Sequence, residues 1–398
     1  MREFDLSKTL KEFWRRLALA RNWPLLAAVG ALSGIGLFTI ASTEPAKAAN
    51  QLFFLVIAFG CMAVFQTVNY ARLGRWALPF YVISILLIAL TLVGSKLGLP
   101  IVPRINGASN WIRLGPVSLQ PAELMKVSCI MLLARYLRYR ENYRKLNGLV
   151  PPLLLAAVPM LMILKQPDLG TALVFIPTMI AMLFVAGAKL RHFAAFAGMG
   201  LVLAPLLWLS GQESVPVLKY GPNLVKQYQR ERVYAMFKDD AQTLKATGYQ
   251  QHYGLAAFGS GGFSGKGAGN VPIGHRVPES HNDMIFTLIG EQFGFVGSFV
   301  VIVAYIVLFV AALEIAADTR EPFGRLVAVG VTAALAGQTF LNLAVAMKVM
   351  PVTGVTLPFI SAGGSSLIAS FMAVGLLLNI GQHRPYLLSR EAFEFDDE

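Results

Sequence analysis

Long apolar runs recur along the whole chain, and nothing else in the sequence constrains the fold as tightly. They occupy residues 24–42, 51–70, 77–95, 119–137, 149–164, 169–188, 193–210, 284–313, 326–347 and 356–380. A mostly apolar run of about 18 residues can cross a bilayer as a helix. Inside lipid the backbone must satisfy its own polar groups, which a helix does within one segment. The runs therefore predict an all-α polytopic membrane protein, a bundle of ten transmembrane helices. Only 14% of the residues are charged, where a soluble chain carries about 25%, so there is too little polar surface for a water-soluble fold. The fifth run is short, and the tenth opens on a Gly/Ser-rich, irregular stretch.

Charge sets the expected orientation. Lys and Arg concentrate in the N-terminal segment, in the loops after the second, fourth, sixth and eighth runs, and in the tail. By the positive-inside rule both termini are cytoplasmic. The expected plan is a single integral-membrane domain over 1–398. It has a cytoplasmic N-terminal segment (1–23), a long extracytoplasmic loop (211–282) and a cytoplasmic tail (381–398). The net charge of +12 follows this alternation instead of forming one patch, which argues against a nucleic-acid partner. Cys61 and Cys129 lie inside apolar runs, so no disulfide framework or Cys-based metal site is implied. "EPAKAAN" imitates a signal-peptidase site, but the 24–42 run is too long for a cleaved leader and reads as a retained helix. "FGSGGFSGKGAGN" imitates a phosphate loop. That pattern would need Gly at Ser260 and a hydroxyl at Gly267, so the stretch reads as a loop allowing close backbone approach.

Charges within or beside the runs need a reason, because lipid makes them costly. Glu123 and Lys126 share a helix face in "LQPAELMKVSC", Lys165 and Asp168 flank a proline in "KQPDLGTALVF", and Asp283 stands at the doorstep of the eighth run in "RVPESHNDMIF". Each has a plain structural reading. Asp283 can cap its helix, and Glu123 with Lys126 can be a structural ion pair. His281 and Asp283 can share a metal, and Trp111 can anchor at the interface. Taken together they describe an outward-facing polar cavity ringed by carboxylates and by Arg104, Arg113, Lys126 and Lys165. Such cations suit a phosphate-bearing substrate, and a free carboxylate suits a general base.

Six ordered motifs carry a resemblance that spans about 23–380. They are "INGASNWIRLGPVSLQPAELMK", "KQPDLGTALV", "YQRERVYAMF", "GSGGFSGKG", "VPESHNDMIFTLIGEQFG" and "MPVTGVTLPFISAGGSS". Their order and spacing resemble the SEDS family (shape, elongation, division and sporulation), and "MPVTG" looks like its elongation branch more than its division branch. The resemblance implies a peptidoglycan glycosyltransferase that polymerises lipid II at the outer face of the bacterial plasma membrane and releases undecaprenyl diphosphate. It also implies a class B penicillin-binding protein and other elongation-complex membrane proteins as partners, and a divalent cation, Mg²⁺ or Mn²⁺, as cofactor. The family's essential acidic residue corresponds to Asp283. Its substrate-side Glu and Lys correspond to Glu123 and Lys126, its Gln-Pro-Asp to Asp168, and its Trp to Trp111. Asn282, Ala362, Gln292 and Asn110 depart from the residues usual there. A flippase for lipid-linked precursors and a non-enzymatic cell-wall scaffold are the rival readings.

Overall fold

The computed structural model describes residues 22–104, 108–115, 117–139, 146–210, 225–237 and 248–382. The N-terminal segment, most of the tail and parts of the long loop lie outside these residues. Twelve α-helices and one short hairpin are formed among them. In chain order the helices are α1 (Trp23–Thr43), α2 (Pro45–Thr67), α3 (Tyr70–Leu97), α4 (Pro121–Arg138), α5 (Val150–Lys165), α6 (Leu169–Ala186) and α7 (Leu190–Leu209). There follow α8 (Gln227–Phe237), α9 (Tyr249–Ser260), α10 (Ile285–Asp318), α11 (Pro322–Ala346) and α12 (Gly364–Gln382).

Eight of these are long and apolar enough to cross a membrane. The two other helices drawn from the apolar runs fall outside that class for visible reasons. α4 carries Glu123, Lys126, Arg135 and Arg138, and α5 has only 16 residues. Both still pack within the bundle, α4 against α3 and α11, α5 against α6. α12 lies along α2, α11 along α6, and α10 along α1. Small residues let these backbones approach, which is how helices associate where lipid supplies no hydrophobic drive. A Cβ placed on Gly375 of α12 would sit 2.6 Å from the Met62 carbonyl of α2.

Three boundaries differ from the sequence expectation. Leu119, read as the start of the fourth span, is the last residue of strand β2 (Val117–Leu119), which pairs antiparallel with β1 (Ile112–Leu114). The helix starts only at Pro121, where proline loses no intrahelical hydrogen bond. The tenth span begins at Gly364 instead of 356, and 351–363 is non-helical chain, so its irregular opening is longer than a helix reading allows. The second helix begins at Pro45, leaving only Glu44 between α1 and α2.

α10 is broken. Gly294 adopts φ 63° and ψ −155° in mid-helix, a conformation closed to residues with a side chain. The glycine-rich loop that follows α9 repairs the break. Lys266 and Gly267 donate backbone N–H groups to the carbonyls of Glu291 and Gln292 at 3.0 Å each. In return Phe295 and Val296 donate to the carbonyls of Gly262 and Phe263 at 2.9 and 3.2 Å. The loop is therefore a fitted part of the bundle, and its glycines serve the close backbone approach expected of them.

Candidate active site

The residues just before α10 form a tight turn that places Asp283 at the mouth of the bundle. The helix starts at Ile285, and its cap position is Met284 without a side-chain cap bond. Asp283 is therefore not the cap, and the structural reading of its carboxylate fails. The side chain is buried, 9% exposed, and Oδ1 accepts a 2.9 Å hydrogen bond from Nε2 of Gln250 on α9. Burial pushes the Asp283 carboxyl up to about 7, with the negative charge of Glu279 adding to it, while Gln250 and the positive charge of Arg232 oppose.

Three sets of bonds fix this turn. From α11, Asn342 Nδ2 donates at 2.7 Å to both the Asp283 carbonyl and the Val355 carbonyl. From the non-helical segment, Ala362 N donates to the His281 carbonyl at 2.9 Å, and Ser361 Oγ donates to the Asn282 carbonyl. From the α1–α2 corner, Thr43 Oγ1 lies 2.7 Å from His281 Nε2, and Glu44 Oε1 lies 3.6 Å from Nδ1. The His281 ring thus turns toward α1 while the Asp283 carboxylate turns toward α9. A metal shared by these two side chains is not what the turn builds. Burial also lowers the basicity of His281, against the opposing pull of the Glu44 carboxylate.

A second polar cluster is held one helical turn away on α11. Lys126 Nζ lies 2.9 Å from Glu123 Oε2 and donates to Gln338 Oε1 at 2.5 Å. Gln338 passes the network on to the carbonyl of Thr356 at 3.0 Å. Gln338 and Asn342 are four residues apart, about 6 Å along the axis. α11 and the 351–363 segment thus tie the ion pair and the Asp283 turn into one framework. Asp168 joins through the hairpin. It caps α6 by accepting from Thr171 N at 3.0 Å, and its Oδ2 accepts from Gln120 Nε2 at 2.9 Å. Gln120 N in turn donates to Ser365 Oγ at 3.0 Å.

The remaining predicted residues are placed less centrally. Trp111 is half-buried beside β1, while Arg104, Arg113 and Lys165 are exposed and form no ion pair among the described residues. Arg104 Nε donates to Ser95 Oγ at 3.3 Å. Of the four cations expected around the carboxylates, Lys126 is the one that is buried among the described residues, and it is matched by Glu123. Among the described residues no group of three acidic, histidine or cysteine side chains could hold a metal ion.

A model of the cell cycle protein family that groups FtsW, RodA and SpoVE matches residues 17–386. This chain belongs to that family. The probable peptidoglycan glycosyltransferase FtsW of Trichlorobacter lovleyi is 33% identical to it over 372 residues, covering 89% of this chain and 92% of that protein. Stage V sporulation protein E of Bacillus subtilis is 35% identical and covers 85% and 88% respectively. Among solved structures, the rod shape determining protein RodA of Thermus thermophilus superposes with a TM-score of 0.66 at 29% identity, over 92% of this chain and 98% of that one. A chain from a peptidoglycan synthase complex that coordinates polymerization and crosslinking superposes with a TM-score of 0.76 at 31% identity, over 92% and 100%.

Family membership makes sense of polar residues that the sequence reading passed over. Gln250, Gln338, Asn342, Ser361 and Ser365 all hold the site together. Gln338 and Asn342 gave a signal, being two amides one turn apart in an apolar helix. Gln250 gave none, since its link to Asp283 exists only through the fold.

Proposed function

We propose that this protein is a peptidoglycan glycosyltransferase. It polymerises lipid II into glycan strands at the outer face of the plasma membrane and releases undecaprenyl diphosphate. The observation that carries this reading is Asp283, a buried carboxyl pushed up to about 7 at the mouth of α10. A general base works best when its pKa lies near the operating pH, and an ordinary aspartate would be far too weak. Asp283 takes the proton from the 4-hydroxyl of the acceptor N-acetylglucosamine. That oxygen attacks the anomeric carbon of the growing lipid-linked chain as the bond to the diphosphate breaks. Gln250 and the bonds to Asn342, Ser361 and Ala362 hold the carboxylate in position.

Purified protein incubated with lipid II, alone and with a class B penicillin-binding protein, tests the proposal. The parent makes polymer, and more with the partner. Asp283→Asn remains folded and partner-bound but makes essentially none, because an amide cannot accept the proton. Polymer at close to the parent rate would move the base elsewhere. A flippase or scaffold would leave the parent itself without polymer. The partner is supported by the similarity to a chain of a synthase complex.

We assign the activity to elongation on the strength of "MPVTG" at Met350–Gly354. The FtsW names of several relatives favour division as the second reading. Depletion separates them, since loss of an elongation enzyme rounds the cells and loss of a division enzyme makes filaments.

A further inference from the structure

One buried ionisable side chain beside the base has no part in the chemistry so far. His281 is 3% exposed and stands two residues before Asp283. Its ring is engaged at both nitrogens. Nε2 lies 2.7 Å from Oγ1 of Thr43, the last residue of α1, while Nδ1 lies 3.3 Å from Ser280 Oγ and 3.6 Å from Glu44 Oε1. The Thr43 contact thus joins the first membrane helix to the turn that carries the base. It does not depend on the charge of the ring. A hydroxyl accepts from a ring N–H and donates to a bare ring nitrogen, so both neutral tautomers and the imidazolium keep it. When the ring supplies the proton, that of Thr43 has an acceptor in its own helix, the Thr39 carbonyl at 2.9 Å.

The turn needs such a tether. Glu279 lies at φ 51°, in the left-handed region, a costly conformation for a residue with a side chain, which lasts where the surroundings impose it. Ala362, Ser361 and Asn342 bond the carbonyls of His281, Asn282 and Asp283 from α11 and the 351–363 segment. Gln250 approaches from α9. The His281 ring supplies the bond to α1.

We propose that His281 is a positioning residue for the transfer reaction, pinning the Asp283 turn to the α1–α2 corner through Thr43 and so fixing where the base can reach. The inference rests on the glycosyltransferase reading above and extends it. The imidazole takes no proton from substrate; that step belongs to Asp283. The Asp283 carboxyl, pushed up to about 7 by burial, faces Glu279 of its own turn, the Gln250 amide of α9 and the charge of Arg232 on α8. His281 faces Glu44 and Lys47 at the α1–α2 corner, and His275 and Glu279 on the approach to the turn. A loosened turn admits water to the carboxylate, which relieves the burial and brings its pKa down toward the ordinary aspartate value. Thr43 is uncharged, so a shift caused by its replacement reports the geometry of the turn and not a lost charge.

The test uses the full chain with its class B partner, assayed on lipid II across the pH range that titrates the base. Thr43→Val removes one hydroxyl from a helix that carries none of the reacting groups. It is expected to lower kcat about tenfold, short of the roughly 100-fold that a 1 Å misplacement can cost, with KM changed less than about twofold. The midpoint of its pH profile moves down by about half a unit or more. His281→Ala does the same, and combining the two adds little, as befits two ends of one bond. Thr43→Ser keeps the hydroxyl, and His281→Gln brings an amide to the place of Nε2; both recover most of the rate. Thr67→Val is the reference. Thr67 ends α2 and donates to its own helix at 2.9 Å, to the Ala63 carbonyl, and its variant stays within about twofold of the parent. Should His281→Ala fail to fold, Thr43→Val and Thr43→Ser decide the matter. A Thr43→Val protein that keeps either the parent's kcat or its pH midpoint overturns the proposal, whatever its melting temperature. A parent that makes no polymer defeats the glycosyltransferase reading and this inference with it, whereas a dead Asp283→Asn beside an unaffected Thr43→Val defeats the tether alone.

Discussion

Ionising Asp283 takes a carboxylate out of water in a place that offers it one side-chain donor, Gln250. The folded protein therefore binds this proton more tightly than the unfolded chain does. The sign follows directly: this group's contribution to stability is full below about pH 4, the ordinary aspartate value, and is lost as pH rises through about 7. Activity runs the other way. The base is competent only when ionised, so kcat should rise about tenfold per pH unit below 7 and level off above it. A pH profile of purified enzyme on lipid II checks this, and a flat profile between pH 5 and 7 would exclude Asp283 as the titrating group. Glu123 and Lys126 need a different test. Both are buried, so Glu123→Gln alone leaves a lysine without its counter-charge, a loss of about 3–5 kcal/mol. Adding Lys126→Met should restore much of that melting temperature, while polymerisation stays lost if the pair also serves substrate. Recovery of both would make the pair purely structural. Asp283 was legible in the sequence because a charge beside an apolar run demands a reason. Gln250 was not, because its bond to Asp283 is made only once α9 is packed beside the turn.

The helices were located by hydrophobicity, and their interruptions were not. Apolar residues in β2 and in 351–363 look no different in sequence from apolar residues of a helix, so the runs were drawn too long at 119 and at 356. Gly294 was equally silent, since a lone glycine in an apolar run is common. Its backbone shows what it is for. A Cβ there would meet Gly265 N at 2.4 Å and the Phe263 carbonyl at 2.6 Å. The backbone conformation itself, φ 63° with ψ −155°, belongs almost entirely to glycine and costs another residue a further 1–3 kcal/mol or so. Gly294→Ala should therefore lower the melting temperature in detergent and reduce polymerisation, because the loop that repairs the break must be displaced. Unchanged melting would mean that the loop is not docked in solution. The same loop is anchored by Glu291, whose carboxylate accepts from Lys266 Nζ and from Gly274 N, each at 2.7 Å.

At the scale of the whole molecule the orientation decides which chemistry is reachable. Reporters fused near Asn142 and Arg320 should report cytoplasm, and one near Lys245 the exterior. Asn142 and Lys245 lie outside the described residues. A cytoplasmic signal at Lys245 would put Asp283 on the wrong side for an extracytoplasmic polymer. The broken α10 adds a constraint of another kind, on biogenesis. The insertion machinery meets 285–318 as one long, mostly apolar segment of 34 residues, about 50 Å if fully helical, against a hydrocarbon core of about 30 Å. The break at Gly294 is held by backbone partners that lie earlier in the chain, and in the proposed orientation these must first be delivered across the bilayer. Asp283 then reaches its working position only after translocation is complete, so a ribosome-bound or half-inserted chain has no active polymerase to release prematurely.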